Sequence, residues 1–245
     1  MRTLRDFIRF FVKSIIATAT PPYRWRDVLK QFEFVAWQSA PVVVFSVCFA
    51  AMVTIVESSY HMKLIVHNDA LVPGFAAMLI LRELGAVISG LLLTSRVGAG
   101  LAAEVGSMQI TEQIDALKML GVDPYRFLVA PRLIACILGG FFLSIIANTV
   151  CLYSAMMVSE IRLGYSAGVF LVGMRTFVSF SDLFFAAIKG ACFGAAIPLV
   201  SCFFGFRCKT GAEGVGQATT NSVVVASVTI IIMDFILSYL FSHYY

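Results

Sequence analysis

Residues 81–131 read LRELGAVISGLLLTSRVGAGLAAEVGSMQITEQIDALKMLGVDPYRFLVAP. An apolar, glycine-rich segment with Arg82 and Glu83 side by side inside it runs into a short polar helix, ITEQIDALKML, which Gly121 closes and Asp123-Pro124 follow. A chain that holds something polar inside a bilayer and also offers a rigid handle to a soluble partner needs that order of segments. The stretch therefore reads as part of a membrane-embedded transporter subunit.

Composition sets the class around it. Of the 245 residues, 60% are hydrophobic and 13% are charged, against about 25% charged in soluble domains, and the mean hydropathy is +0.90. These values describe an integral membrane protein with no room for a sizeable soluble domain. The six cysteines fall mostly in apolar runs without CxxC spacing, and His61, His67 and His243 form no ligand pair. No metal site is expected from such a set.

The fold class expected is an all-α integral membrane protein: an N-terminal interfacial amphipathic helix, then five transmembrane helices, with a cytoplasmic coupling helix between the second and third. Spans of sufficient apolar length lie near residues 39–56, 74–97 with a helical continuation to about 104, 127–158, 183–206 and 219–241. Residues 1–36 form interfacial and elbow helices, and residues 37–245 form the five-span domain. Within the first helix, Leu4, Phe7, Ile8, Phe11, Val12, Ile15 and Ile16 occupy one face, while Arg2, Arg5, Asp6, Arg9 and Lys13 occupy the other. That period suits a helix lying in the membrane interface, cations near the headgroups. Pro21-Pro22 end it, and Trp25 and Trp37 mark the margins of the elbow at the depth tryptophan prefers. The polar helix covers about residues 109–121, and an amphipathic stretch at about 164–180 is expected on the outer surface. Thirteen basic residues on one side of the spans against three on the other put the N-terminus and the polar helix in the cytoplasm and the C-terminus outside.

Arg82 and Glu83 carry the strongest chemical signal. Arg82 lies about 12 Å into its span at 1.5 Å per residue, well inside a hydrocarbon core of roughly 30 Å. Each charge costs about 2.5 to 3.5 kcal/mol there unless it meets a cavity or a partner. Two readings stay open: a cavity in which Arg82 meets an anionic headgroup and Glu83 orients it, or a structural tie between helices. Asp234, deep in the last span, reads as a helix–helix hydrogen bond. Gly98, Gly100 and Gly106 place small residues at close spacing, which lets another backbone approach. Thr111, Glu112 and Asp115 suit the opening of the polar helix, and Ile114, Leu117 and Leu120 give it an apolar stripe.

The segments RELGAVISGLL, SRVGAGLAAEVGSM, TEQIDALKMLGVDPYRFLVAPR and GAEGVGQATTNSVVVASVTIIIMDF closely resemble the MlaE/YrbE family of ABC transporter permeases, over roughly residues 30–243. The resemblance implies phospholipid transport together with MCE-domain partner proteins. It also implies a core of two permease copies, a homodimer, with an ABC ATPase subunit docked on each coupling helix. It places the chain in the bacterial inner membrane with a periplasmic C-terminus. The family's lipid-pocket Arg-Glu pair maps onto Arg82 and Glu83, with Leu84 beside them. Its coupling residues map onto Ile110, Thr111, Glu112, Asp115, Lys118 and Met119. No cofactor is expected on this chain, since ATP and Mg belong to the partner ATPase, and no nucleic acid is expected as a partner. Consistent with that division, no GxxxxGK[ST] motif occurs; Gly205-Phe-Arg-Cys-Lys-Thr210 is one residue short and lacks the second glycine. Residues 57–71 depart from the glutamine-containing pattern of many members. The alternative from another class is an ion-coupled secondary transporter using Glu83 and Asp234, which inverted repeats would favour; none is visible.

Overall fold

A computed structural model describes residues 2–20, 24–65, 71–209 and 211–243. Among the described residues all regular structure is helical: α1 Arg2–Ala19, α2 Trp25–Phe32, α3 Ala40–Ile65, α4 Val72–Ile110, α5 Gln113–Met119, α6 Tyr125–Leu163, α7 Ala167–Phe177, α8 Phe180–Phe206 and α9 Ala212–His243. Five runs of the described residues are long and apolar enough to cross a membrane: Trp25–Met62, Val72–Ile110, Tyr125–Leu163, Phe180–Phe206 and Ala212–His243. The all-α class and its five spans hold. Several ends differ from the sequence reading: the second and third runs extend to Ile110 and Leu163, and the first and last spans differ most. The first span runs on as helix to Ile65, because its polar residues include Ser58 and Ser59, which are buried, and no Gly or Pro intervenes. The last begins at Ala212 rather than near residue 219. Its first turns are polar yet helical, since Thr219 and Thr220 return their hydroxyls to the carbonyls of Val215 and Gly216. Pro21-Pro22, His67 and the rest of residues 66–70 lie outside the described residues.

Among the described residues four wide turns interrupt the α-helical pattern, each closed by a backbone N–H reaching five residues back: Gln38 to Glu33, Gly85 to Ile80, Ala99 to Thr94 and Ala130 to Tyr125. Such π-type turns recur at functional sites.

The chain divides into two compact units. The first takes Met1–Ser39, Leu91–Gly140 and Ala191–Met233. Its core joins Phe10, Val105, Ile114, Leu128, Val129, Cys202 and Phe203, with the Phe10 ring 5.3 Å from Tyr125 and 5.7 Å from Phe203. The face α1 buries is Phe10, Ser14 and Ala17, at i, i+4 and i+7, whereas Ile8, Phe11, Val12, Ile15 and Ile16 stay exposed. The periodicity therefore found the mostly exposed side of α1, and Phe10, which it left out, docks the helix together with Phe7, whose ring lies 5.0 Å from Phe203. Gly194 stands against the Cys136 carbonyl so closely that any Cβ would collide with backbone. Gly98, Gly100 and Gly106 are less tight: a Cβ there would sit 3.2 Å from Ser201 Oγ, 3.4 Å from the Phe34 ring and 3.4 Å from Cys208 Sγ.

The second unit takes Ala40–Gly90, Phe141–Gly190 and Asp234–Tyr245. In it α3 and α6 are tied by the Cys151 thiol to the Val47 carbonyl at 3.5 Å and by Ser154 Oγ to Cys48 Sγ at 3.1 Å. Helix α7, capped by Ser166 and holding Phe170 buried, lies against the start of α4.

Candidate functional site

In the second unit, Arg82 and Glu83 sit in the wide turn Ile80–Leu84 of α4. More residues share such a turn than share an α-turn, so two adjacent side chains splay less and can serve one cavity. Gly85 ends the turn because Asn148 occupies the place where its Cβ would go.

The two charges are partnered from other spans. Arg82 Nε donates to Asp182 Oδ1 at 2.9 Å, and Asp182 is itself fixed by the Ser179 backbone N–H on its other oxygen at 2.8 Å. Lys189 of α8 is 3% exposed and meets four oxygens: the Arg82 carbonyl at 2.7 Å, Glu83 Oε1 at 3.2 Å, Ser238 Oγ at 2.8 Å and Asp234 Oδ1 at 2.9 Å. Ser238 donates in turn to Glu83 Oε1 at 3.0 Å. An ammonium so surrounded has its three donors used, the condition under which a buried charge is tolerated. Two cations face three carboxylates. All of these except Asp234 line a cavity of about 230 Å³, closed on its apolar side by Phe185 and Phe241, whose rings stack at 4.1 Å. Arg82 keeps 38% of its side chain exposed beside this space, and Ser242 adds a hydroxyl. Such a cavity can take an anionic oxygen group on the guanidinium, while the carboxylates fix that guanidinium in place.

The structure thus brings Arg82, Glu83 and Asp234 together. Asp234, read from the sequence as a helix–helix hydrogen bond, joins α9 to α8 through an ion pair with Lys189. Leu84 completes the wide turn but does not line the cavity. Sequence reasoning overlooked Lys189 and Asp182. Lys189 lies within an apolar span, so the criterion that singles out Arg82 would have found it; Asp182, at the end of a span, gave no such signal.

The second group lies in the first unit. Thr111 does not open the polar helix; its hydroxyl returns to the Ser107 carbonyl at 2.9 Å and ends α4. Glu112 is the turn itself, with φ of 57° in the left-handed region, a conformation that costs a residue with a Cβ about 1–2 kcal/mol. Helix α5 follows, Ile114 wholly buried in the aromatic and aliphatic core and Leu117 packed at its edge. Gly121, at φ of 74°, closes it, with the Val122 N–H returning to the Leu117 carbonyl. Leu120 is not part of the buried stripe: it and Met119, 89% exposed, face outward, as do Glu112 and the Asp115–Lys118 pair at 2.7 Å. Ile110 is half-buried at the end of α4. Among the described residues no cluster of metal-ligating side chains occurs.

Compared with known proteins, residues 28–240 match the family described as Permease MlaE. A probable ABC transporter permease protein of Rickettsia bellii is 31% identical over 240 residues, 98% of this chain and 92% of its own length. The chloroplastic protein TRIGALACTOSYLDIACYLGLYCEROL 1 of Arabidopsis thaliana is 35% identical over 217 residues, 89% of this chain and 62% of that one. A probable ABC transporter permease protein of a Synechocystis species, slr1045, is 32% identical over 218 residues, 88% and 81% of the two chains.

Proposed function

The chain belongs to the MlaE permease family and is a transmembrane ABC transporter subunit, and from that premise we propose that it moves phospholipids, driven by a separate ATPase. The observation that carries the substrate is the cavity at Arg82: an intramembrane guanidinium, held by Asp182 and partly exposed beside a 230 Å³ space, has the chemistry of a phosphate receptor. That volume is below the roughly 300–1,000 Å³ of pockets that enclose whole small ligands. It suits a headgroup, with the acyl chains in a larger cavity completed by a second copy of the permease. The plant relative carries the name of a glycerolipid, which agrees with a lipid cargo.

Helix α5 supplies the drive. Met119 and Leu120 give an exposed apolar tip among the charges of Glu112, Asp115 and Lys118, a surface suited to the groove of an ATPase that binds ATP and Mg. Ile114 anchors α5 in the core of the first unit, so closure of the ATPase pair would press on that core rather than bend a loose loop. The motion would shift α4 and α6 and reshape the lipid cavity. An MCE-domain protein would pass the lipid onward. In a bacterial inner membrane, the excess of basic residues on one side supports a cytoplasmic N-terminus and a periplasmic C-terminus.

The test is Arg82→Ala beside Arg82→Lys, with phospholipid co-purified per folded protein as the readout. Loss in the alanine variant with partial retention in the lysine variant is expected, because an ammonium still attracts phosphate without the fork. Unchanged lipid content and transport in well-folded Arg82→Ala would sink the headgroup role.

A further inference from the structure

The elbow of the first unit holds a second polar cavity, of about 240 Å³, whose polar wall is Arg24, Asp27, Lys30, Gln31, Glu104 and Arg132. Its charges are mostly spent on one another. Arg24 Nε pairs with Asp27 Oδ2 at 2.8 Å, and its guanidinium lies 4.0 Å over the Phe127 ring. Arg132, more than nine-tenths buried, holds Glu104 Oε1 at 2.7 Å and donates to the Leu128 carbonyl at 2.8 Å, while its Nε is buried with no hydrogen-bond partner. Lys30 is exposed and has no ion-pair partner among the described residues. Two cation–carboxylate pairs cancel, and Lys30 leaves the cavity one positive charge.

Depth is set by the two tryptophans: Trp25 is 59% exposed and Trp37 is 79% exposed at the two ends of the elbow. Exposed indoles in a membrane protein sit at the headgroup level. A polar cavity at that level, with one net positive charge, meets lipid phosphates rather than hydrocarbon.

We propose that this elbow cavity binds the headgroup of a singly charged anionic phospholipid. The phosphodiester would lie against Lys30, and the hydroxyls of an uncharged headgroup would reach the Gln31 amide and the Asp27 and Glu104 carboxylates. A zwitterionic headgroup is the poorer match. Its ammonium would compete with Arg132 for Glu104, and its zero net charge gains nothing from Lys30. Occupancy would bear on Glu104, which lies on α4 shortly before the turn into α5, so the lipid would stiffen the base of the helix that carries α5.

The experiment uses the full chain in phosphatidylcholine vesicles doped with a minor fraction of phosphatidylglycerol, re-extracted into detergent, with retained lipid counted by mass spectrometry. Wild type should retain phosphatidylglycerol above its share of the bilayer. Lys30→Gln should cut that enrichment about fivefold, the value of one cation near a charged surface, and Lys30→Arg should keep most of it. Arg26→Gln removes a cation of the same helix that does not line this cavity, and should leave enrichment unchanged. Equal enrichment in wild type and Lys30→Gln, or the same loss in Arg26→Gln, overturns the site in favour of diffuse surface charge. Soluble glycerol phosphate that displaces phosphatidylglycerol would likewise overturn the lipid assignment and leave a site for free phosphate. A second measurement needs no variant: brominated phosphatidylglycerol should quench the tryptophan emission of wild type more than brominated phosphatidylcholine at equal fraction. Equal quenching would reject the preference.

Discussion

The charges around Lys189 and the charges on α5 are handled in opposite ways. Lys189 and Asp182 are nearly inaccessible, at 3% and 2% exposed, and each is fixed by partners distant in sequence. Asp115 and Lys118 are more than half exposed and pair only with each other, three residues apart. The first group is structure as much as site, because a charge removed from water must be matched or it destabilises the fold. The second contributes little to stability and is free to be spent on a partner. What holds α5 in place is its apolar side, Ile114 in the core. On the proposed function, stability and transport would be superimposed in the second unit and separated on α5.

The largest effect expected is from Lys189→Met. It leaves Glu83 and Asp234 facing each other without their cation and should cost about 3–5 kcal/mol, seen as a lower thermal midpoint and yield. Adding Glu83→Gln and Asp234→Asn should recover part of that loss. A Lys189→Met chain as stable as wild type would show that water, not protein, solvates the cluster, and would break the contrast.

Next is Ile114→Ala, a cavity in the core that anchors α5, with about 2–5 kcal/mol expected. Detergent stability and ATPase stimulation should fall together. If stability held while stimulation fell, α5 would be moored by its charges instead.

Glu112→Gly tests the left-handed turn. Glycine adopts that conformation freely, so a gain of up to about 1 kcal/mol is expected, and a loss would mean that the Glu112 side chain does more for the fold than its exposure suggests.

Smallest in stability is the pair Glu112→Lys with Asp115→Lys. Exposed substitutions of this kind shift stability by within about 0.5 kcal/mol, so insertion and thermal midpoint should stay close to wild type while co-purification of the ATPase weakens. Unchanged ATPase association and stimulation would sink the docking role and leave α5 as scaffold alone.

Residue chemistry taken one span at a time was enough to establish the class and the five spans, and to single out Arg82 and Glu83 as charges that need partners. Apolar length reports a membrane crossing, and a charge within that length must be accounted for whatever surrounds it. The end of α5 was legible as well, since Gly121 is the residue a left-handed close calls for. Tertiary structure alone decided the partners. Arg82 meets Asp182 and Lys189 meets Asp234, pairs that join different spans, and nothing in the local pattern encodes them. A soluble helix marks its buried face by contrast with a polar one. A span in lipid is apolar all round, so its period cannot say which side meets protein; even in α1, which is amphipathic rather than a span, most of the apolar stripe is exposed and the buried Phe10 lies outside it. The left-handed Glu112 stands where Thr111 was expected to open α5, and the wide turn that directs Arg82 and Glu83 into one cavity ends at Gly85 against Asn148 of another helix, a contact that no single helix carries in its own sequence.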